Sequence, residues 1–313
     1  MYIVLFICVA VLLMVYFDSN MFTLKAELTV PLPNPQGQDA HQISGERKSH
    51  RNDTRTGVIE QQKANKKLTA NTRAGTWIRK LAIPKCQFVY LDLGSNKGVQ
   101  IRKLFEPELY PGAAILSFFD KFFGERKQRR KDVCAFGFEA NPRHMARLKY
   151  IEAAYTKKGM FVKFHNQAVS NRDNDTVTIY SETDHDIDWG AGIIDNAIHD
   201  KENMTRYNVS TVDIAGYISS EIISFKPKKV FVKMDIEGSE FLVLPHLLQK
   251  QMLCRGVLTT MGIELHAWAR EAMKSDLNMD ILKQELKRQT CEPTELIEVD
   301  DESYNRDVNK VPA

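Results

Sequence analysis

Residues 88–98 read FVYLDLGSNKG, and this stretch decides the fold. Phe88, Val89, Tyr90, Leu91 and Leu93 make a near-continuous β-favouring run, the pattern of a central parallel strand covered on both faces. Asp92 interrupts the run near its end, and Gly94 and Gly98 bracket Ser95, Asn96 and Lys97. Glycines at those points let the backbone turn tightly and approach a ligand before a helix starts near Gly98. The spacing is not the full GxGxxG of a dinucleotide site, and an acid just ahead of the turn repels a pyrophosphate. A cationic ligand suits this turn better than a phosphate.

Downstream, residues 99–105 are predicted as a helix that closes at Pro107. The next segment, 106–132, is more chain than a βαβ unit requires. It holds Ile115, Leu116, Phe118, Phe119, Phe122 and Phe123 and ends in a basic run at 126–131. It reads as a helix packed on the domain with a solvated charged end; the alternative is a lid or an interfacial helix near a membrane. A second strand at 133–138 ends in Glu139, Ala140, Asn141 and Pro142. Asn141 suits the cap and Pro142 the first turn of a helix that runs to about Lys158. Glu139 then stands at a strand's carboxyl end beside the glycine turn. An acid there accepts hydrogen bonds from the ribose hydroxyls of an adenosine cofactor, or else serves the dipole of the following helix.

A third strand at 160–165 leads into Asn166, Gln167 and Ala168, and alternation at 176–180 predicts a strand of an antiparallel flap. The loop 184–195, with Trp189, Gly190 and Gly192, could cover a ligand, its acids being solvated. A fourth strand, 230–234, runs into Asp235, Ile236 and Glu237, so two carboxylates project where open α/β sheets bind ligands. A fifth, 257–265, brings Glu264 and His266 to the same edge. These groups suit acid/base work or substrate binding; the alternatives are a divalent cation shared with Asp235 and ordinary polar packing. No resident metal is expected. A helix at 275–289 and a hairpin from 294–299 and 303–311 complete the chain.

The 313 residues, 43% hydrophobic and 27% charged, suffice for one sizeable α/β core with appendages. The net charge of +3 is unevenly laid out. Residues 25–87 hold 12 Lys/Arg against 5 Asp/Glu, and residues 88–313 hold 31 against 34, so the folded part gives no reason to expect nucleic acid. Residues 2–17 are sixteen apolar residues without a charge. A membrane span usually needs ~20, and no small-residue cleavage site follows, so 1–17 is read as an uncleaved signal-anchor rather than a cleaved signal of a secreted protein or a buried helix. From 18 to 76, a composition rich in Pro, Gln, Asn, Thr, Lys and Arg reads as a flexible basic stem, leaving 77–313 as the domain. Beyond Cys8 there are Cys86, Cys134, Cys254 and Cys291, with no CxxC or Cys/His metal spacing. Cys134 and Cys254 lie in or beside predicted strands and are read as buried thiols. Sequons at Asn52, Asn174, Asn203 and Asn208 would accept glycans in a lumenal domain.

The order LDLGSNKG, GFEANP, VKMDIEGSE and GIELHAW resembles the FkbM family of S-adenosylmethionine-dependent methyltransferases, over roughly residues 88–311. The resemblance implies a class I methyltransferase, an α/β Rossmann-like sheet of seven strands whose last is antiparallel. It implies S-adenosyl-L-methionine as cofactor, with Asp92, Gly94, Ser95, Asn96 and Gly98 at its methionyl part and Glu139 at the ribose. Asn141 would flank that site, Asn166, Gln167 and Ala168 would lie beside the adenine, and Asp235 would lie near the amino acid or the acceptor. His266 or Asp235 would take the acceptor's proton, with Glu237 and Glu264 as catalytic neighbours. In a Golgi or endoplasmic reticulum lumen the expected reaction is O-methylation of a glycan or small-molecule hydroxyl. An inactive relative serving a protein partner, and a nicotinamide-dependent oxidoreductase, are the other readings; the Asp92 turn disfavours the second.

Overall fold

The computed structural model describes residues 86–182, 191–194, 204–301 and 303. The expected anchor at 1–17, the stem at 18–76, most of the loop 184–195, the sequons at Asn52 and Asn203 and all but the first residue of the strand at 303–311 lie outside them. No helix among the described residues is long and apolar enough to cross a membrane.

In chain order the elements are β1 (Phe88–Leu93), α1 (Val99–Phe105), α2 (Ile115–Phe123), α3 (Arg126–Asp132), β2 (Val133–Phe138), α4 (Met145–Lys157) and β3 (Phe161–His165). Then come β4 (Ala168–Ser170), β5 (Thr176–Glu182), β6 (Met204–Asp213), helical turns from Ile214 to Phe225, β7 (Lys229–Met234), α5 (Glu240–Gln249), β8 (Thr260–Ile263), α6 (Met279–Arg288) and β9 (Glu295–Glu298). Six strands form one sheet in the order β3-β2-β1-β7-β8-β9, and every neighbouring pair is parallel. Residues 89–91 and 93 of β1 are fully buried, as a strand covered by helices on both faces must be. The chain leaves β1 toward β2 on one side, and β7 flanks it on the other, so the strand order reverses at β1. In open α/β sheets a crevice opens outside the strands' carboxyl ends at that point.

The seven-stranded sheet with an antiparallel last strand is not what the described residues form. They supply six strands, and β9 joins β8 in parallel because α6 carries the chain back to the amino end of the sheet before β9 begins. The hairpin partner expected for 294–299 falls outside the described residues. The fifth strand is also shorter than expected, four residues, because Val257 and Leu258 donate back to the Cys254 carbonyl in a turn. Helix α6 starts at Met279, where the Asn278 side chain accepts from the Ile281 N–H at 2.9 Å and caps it.

The extra segment at 106–132 packs on the sheet. Ile115, Phe119 and Phe123 are buried against Tyr90 and Phe231, with Phe119 and Phe231 edge-on at 5.7 Å. Its one buried cation, Arg129, is held by Asp120 and the Gly124 carbonyl. The predicted flap is a separate three-stranded sheet, β4-β6-β5, in which β5 and β6 run antiparallel.

Cys134 and Cys254 are not thiols. Cys86 is bonded to Cys134 and Cys254 to Cys291, with Cα atoms 5.3 and 5.7 Å apart. Strand register brings Cys134 beside Val89, three residues after Cys86, a proximity that a 48-residue sequence separation conceals.

Candidate active site

The cleft at the switch point is lined by three loops and one wall of the flap sheet. The first loop is the glycine turn. Gly94 has φ +86°, and a Cβ there would lie 1.7 Å from the Asp235 carbonyl oxygen, so only glycine lets the ends of β1 and β7 touch. The Gly94 and Ser95 N–H groups both donate to the Phe138 carbonyl, which fixes the turn over the end of β2. Ser95, Asn96, Lys97, Val99 and Gln100 then face the cleft. Gly98 does not; it sits where a side chain would press on Leu148 and Ile151 of α4.

Glu139 closes the second side. One carboxylate oxygen accepts the Asn96 N–H at 2.6 Å, the other the Asn141 N–H at 2.7 Å. It therefore stands at the cleft wall in one orientation, as a carboxylate able to accept from hydroxyls. Asn141 is fully buried and caps the next turn through Arg143 N, while the Asn166 amide donates to the Glu139 and Ala140 carbonyls. Both shape the Glu139 loop from behind. Gln167 and Ala168 do line the cleft, and with Phe138, Val169, Ile179 and Ile193 they make a largely apolar slot.

The third loop carries Asp235, Glu237 and Ser239 onto the wall. Glu240, at the start of α5, holds this loop together: its buried carboxylate accepts the Ile236 and Gly238 N–H groups, each at 2.8 Å. It also meets His266 Nδ1 at 3.1 Å. His266 Nε2 lies 3.5 Å from Glu237 and 3.7 Å from both Asp235 and Glu264. One imidazole thus faces four carboxylates. Burial works against its charged form, but the Glu240 hydrogen bond and the charges of Glu240, Glu237 and Asp235 outweigh it and push the pKa up to about 9. Burial raises Glu237 to about 7 against the pull of His266; burial and the Asp235 charge do the same to Glu264. At neutral pH His266 is an imidazolium, so it has no lone pair with which to take the proton expected of it.

Asp92 is placed behind the cleft wall, not on it. It is fully buried, one oxygen accepts from the Tyr90 hydroxyl at 3.3 Å, and the other has no hydrogen-bond partner. Burial raises it to about 6 despite Lys233, its neighbour across the β1–β7 register. Lys233 in turn bonds Asp235, which is the carboxylate the cleft sees. The strand alternation that made Asp92 conspicuous in sequence also turned it into the core.

Of the residues singled out from sequence, Gly94, Ser95, Asn96, Glu139, Gln167, Ala168, Asp235 and Glu237 share the cleft wall, and Glu264 and His266 stand against Asp235 and Glu237. Sequence reasoning missed Gln100, Lys233 and Glu240. Glu240 had a visible signal, an acid opening a helix after a strand-end turn. Gln100 had none, because its place follows from how α1 lies over the cleft. Its Oε1 is buried without a partner in a cleft-lining side chain, a position that calls for a ligand donor.

These residues fit S-adenosylmethionine chemically. Asp235 and the Gln100 oxygen offer acceptors to the ammonium group of the amino-acid end, Glu139 suits vicinal hydroxyls, and the apolar slot suits an adenine. The donor atoms of Asp235, Glu237 and His266 also lie within 4.8 Å of one another, a spacing a divalent cation could bridge.

The parallel sheet with its cleft at the switch point defines a Rossmann-like α/β protein built to hold a ligand at the strands' carboxyl edge. The family model described as the methyltransferase FkbM domain matches residues 92–287, and the chain belongs to that methyltransferase family. No curated protein and no solved structure matches the chain.

Proposed function

We propose that this protein is an S-adenosylmethionine-dependent O-methyltransferase that acts on a hydroxyl of a glycan or small molecule in the lumen of the secretory pathway. One observation carries the reading: a ribose-suited carboxylate, Glu139, and an acid cluster built on Asp235 and Glu237 share a single cleft wall with the glycine turn. When bound, the cofactor supplies a methyl group on a sulfonium centre. Glu139 would accept hydrogen bonds from the ribose, the slot lined by Ala168, Val169 and Ile179 would take the adenine, and Gln100 and Asp235 would take the amino-acid end.

Glu237 is the base. It lies on the cleft wall, and a pKa of about 7 leaves it partly ionised yet basic enough to accept a proton at neutral pH. His266 is a positioning group that keeps the carboxylates together by its charge. Glu237 would take the proton of the acceptor hydroxyl as its oxygen received the methyl group, and the cofactor would leave as the neutral thioether. Most of the acceleration comes from alignment of the two reactants.

The lumenal setting is supported by the two disulfides, which use every cysteine of the described residues and form in oxidising compartments. The apolar run at 2–17 would bring the chain there as a single-pass anchor in the Golgi or endoplasmic reticulum membrane. Asn174 and Asn208, both exposed, would carry glycans. The test incubates the full-length protein, made in a secretory host, with isotopically labelled S-adenosylmethionine and pools of glycans and small hydroxylated molecules. A product heavier by one methyl group supports the assignment; a folded protein that does not bind the cofactor refutes it.

A further inference from the structure

Two histidines of the described residues close Nε2 onto a single partner: His246 meets Asp213 at 2.8 Å, and His165 meets the Tyr217 hydroxyl at 3.1 Å. His266 does not. Its Nδ1 is taken by Glu240, while its Nε2 stands 3.5 Å from Glu237 Oε2 and 3.7 Å from Asp235 Oδ1 and Glu264 Oε1. All three lie beyond the ~2.7–3.2 Å of a hydrogen bond. The side chain is only 10% exposed, so solvent does little for that nitrogen. The oxygens it faces are equally short of partners. Lys233 bonds the other oxygen of Asp235, and among the described residues no protein donor bonds the carboxylates of Glu237 or Glu264.

Buried polar groups normally satisfy one another or a bound species. Here one nitrogen and three carboxylates converge and stop short of contact. Donor atoms around one ion with bonds of about 2.1 Å stand about 3.4 Å apart in a tetrahedron and about 3.0 Å apart in an octahedron. The separations around Nε2 are nearer the first. The donor atoms of Asp235, Glu237 and His266 all lie within 4.8 Å of one another, so a small contraction would bring the three onto a single ion. Glu240 supplies the usual support, because a metal-bound imidazole commonly directs its other N–H at a carboxylate, which fixes the ligating nitrogen. These groups come from the ends of β7 and β8, set side by side by the Met234–Ile263 register, so no local spacing in the sequence announces them.

We propose that Asp235, Glu237 and His266 form an exchangeable binding site for a divalent transition metal of the Zn²⁺ type. One imidazole nitrogen with two carboxylates favours such an ion over Mg²⁺ and Ca²⁺, whose shells are built of oxygen. The ion takes the place of the proton on Nε2. It also draws Glu237 into its own shell, so the loaded protein is without its base and methyl transfer stops. That inhibitory consequence rests on the methyltransferase reading above; the binding itself does not.

Full-length protein, stripped with a chelator and free of S-adenosylmethionine, is titrated with Zn²⁺ by calorimetry and with Co²⁺ by visible absorption. Zn²⁺ should bind saturably, and Co²⁺ should develop the intense d–d bands of a four-coordinate site. Ca²⁺ and Mg²⁺ should bind at least about a hundredfold more weakly. His266→Ala and Glu237→Gln, each checked for folding by circular dichroism, should lower Zn²⁺ affinity about tenfold or more. His246→Ala should leave it unchanged. Absence of saturable Zn²⁺ binding overturns the proposal, as does binding that persists in folded His266→Ala and Glu237→Gln, or Ca²⁺ bound as tightly as Zn²⁺. With labelled S-adenosylmethionine, transfer should fall as the site fills and return on chelation; transfer unchanged or raised at full occupancy overturns the inhibitory role. Protein that binds Zn²⁺ through His266 and Glu237 but does not bind S-adenosylmethionine overturns the methyltransferase reading and leaves the metal site standing.

Discussion

Replacing His266 by Gln removes a positive charge from among four carboxylates while keeping a polar side chain of similar size. The difference between the ordinary histidine value of 6.5 and about 9 corresponds to roughly 3 kcal/mol of preference for the charged form. The side chain is only 10% exposed, so solvent does little to screen it. The folded-state pKa is raised, so this contribution is fully present below about pH 6.5 and is lost as the pH rises through 9. For a domain of this size ~3 kcal/mol is worth roughly 6–12 °C in Tm. The assay is thermal unfolding of the unaltered protein and of His266→Gln, side by side, from pH 6 to pH 10. The two should differ by that margin at pH 6 and converge above pH 9. A difference that stays constant across the range would mean that His266 contributes packing and not charge, and the account of the acid cluster would fail.

Glu237→Gln should lower kcat by about 10²–10⁴ with little change in cofactor affinity, and abolish the rise in kcat through about pH 7; equal losses in kcat and affinity would remove Glu237 from the chemistry. Gln100→Met deletes a buried acceptor that has no partner within the protein. Cofactor affinity, read by calorimetry, should fall about tenfold with Tm unchanged or raised; a lower Tm with normal affinity would assign Gln100 to structure. Gly94→Ala forces a Cβ to within 1.7 Å of the Asp235 carbonyl oxygen at a left-handed φ, so folded yield should collapse, and a normal Tm would contradict the turn geometry. The Cys254–Cys291 bond closes a 37-residue separation, for which loop entropy gives about 4 kcal/mol. Replacing both cysteines by Ala should lower Tm by roughly 8–16 °C, and a stability unaffected by either the double substitution or reduction would show that the bond does not form.

The parallel sheet was legible because three of its strands are short apolar runs that end in a glycine or an acid: β1 into Gly94, β2 into Glu139, β7 into Asp235. Periodicity says which residues are apolar, and a strand buried on both faces has no polar alternation to hide it. The same property misled at Asp92. A lone acid in such a run looks like a ligand, yet an odd-numbered offset from Leu91 and Leu93 only says that it faces the sheet's other side, which here is core. Glu264 and His266 were legible as neighbours of the strand end, but their charge states were not. Those come from Glu240, Glu237 and Asp235, which are distant in sequence from His266 and reach it only through the parallel pairing of β7 and β8.

What the sequence by itself determined is the class of the chain: a Rossmann-like sheet, the order of its motifs, and the strand ends where polar groups collect. These follow from local chemistry, from the conformations glycine alone allows and from the burial that an apolar run demands. Only the tertiary structure decided which of those polar groups face the cleft, that His266 carries a proton among four carboxylates, and that the cysteines pair. Each of these depends on distances between residues far apart in the chain, and such distances are set when the layers pack.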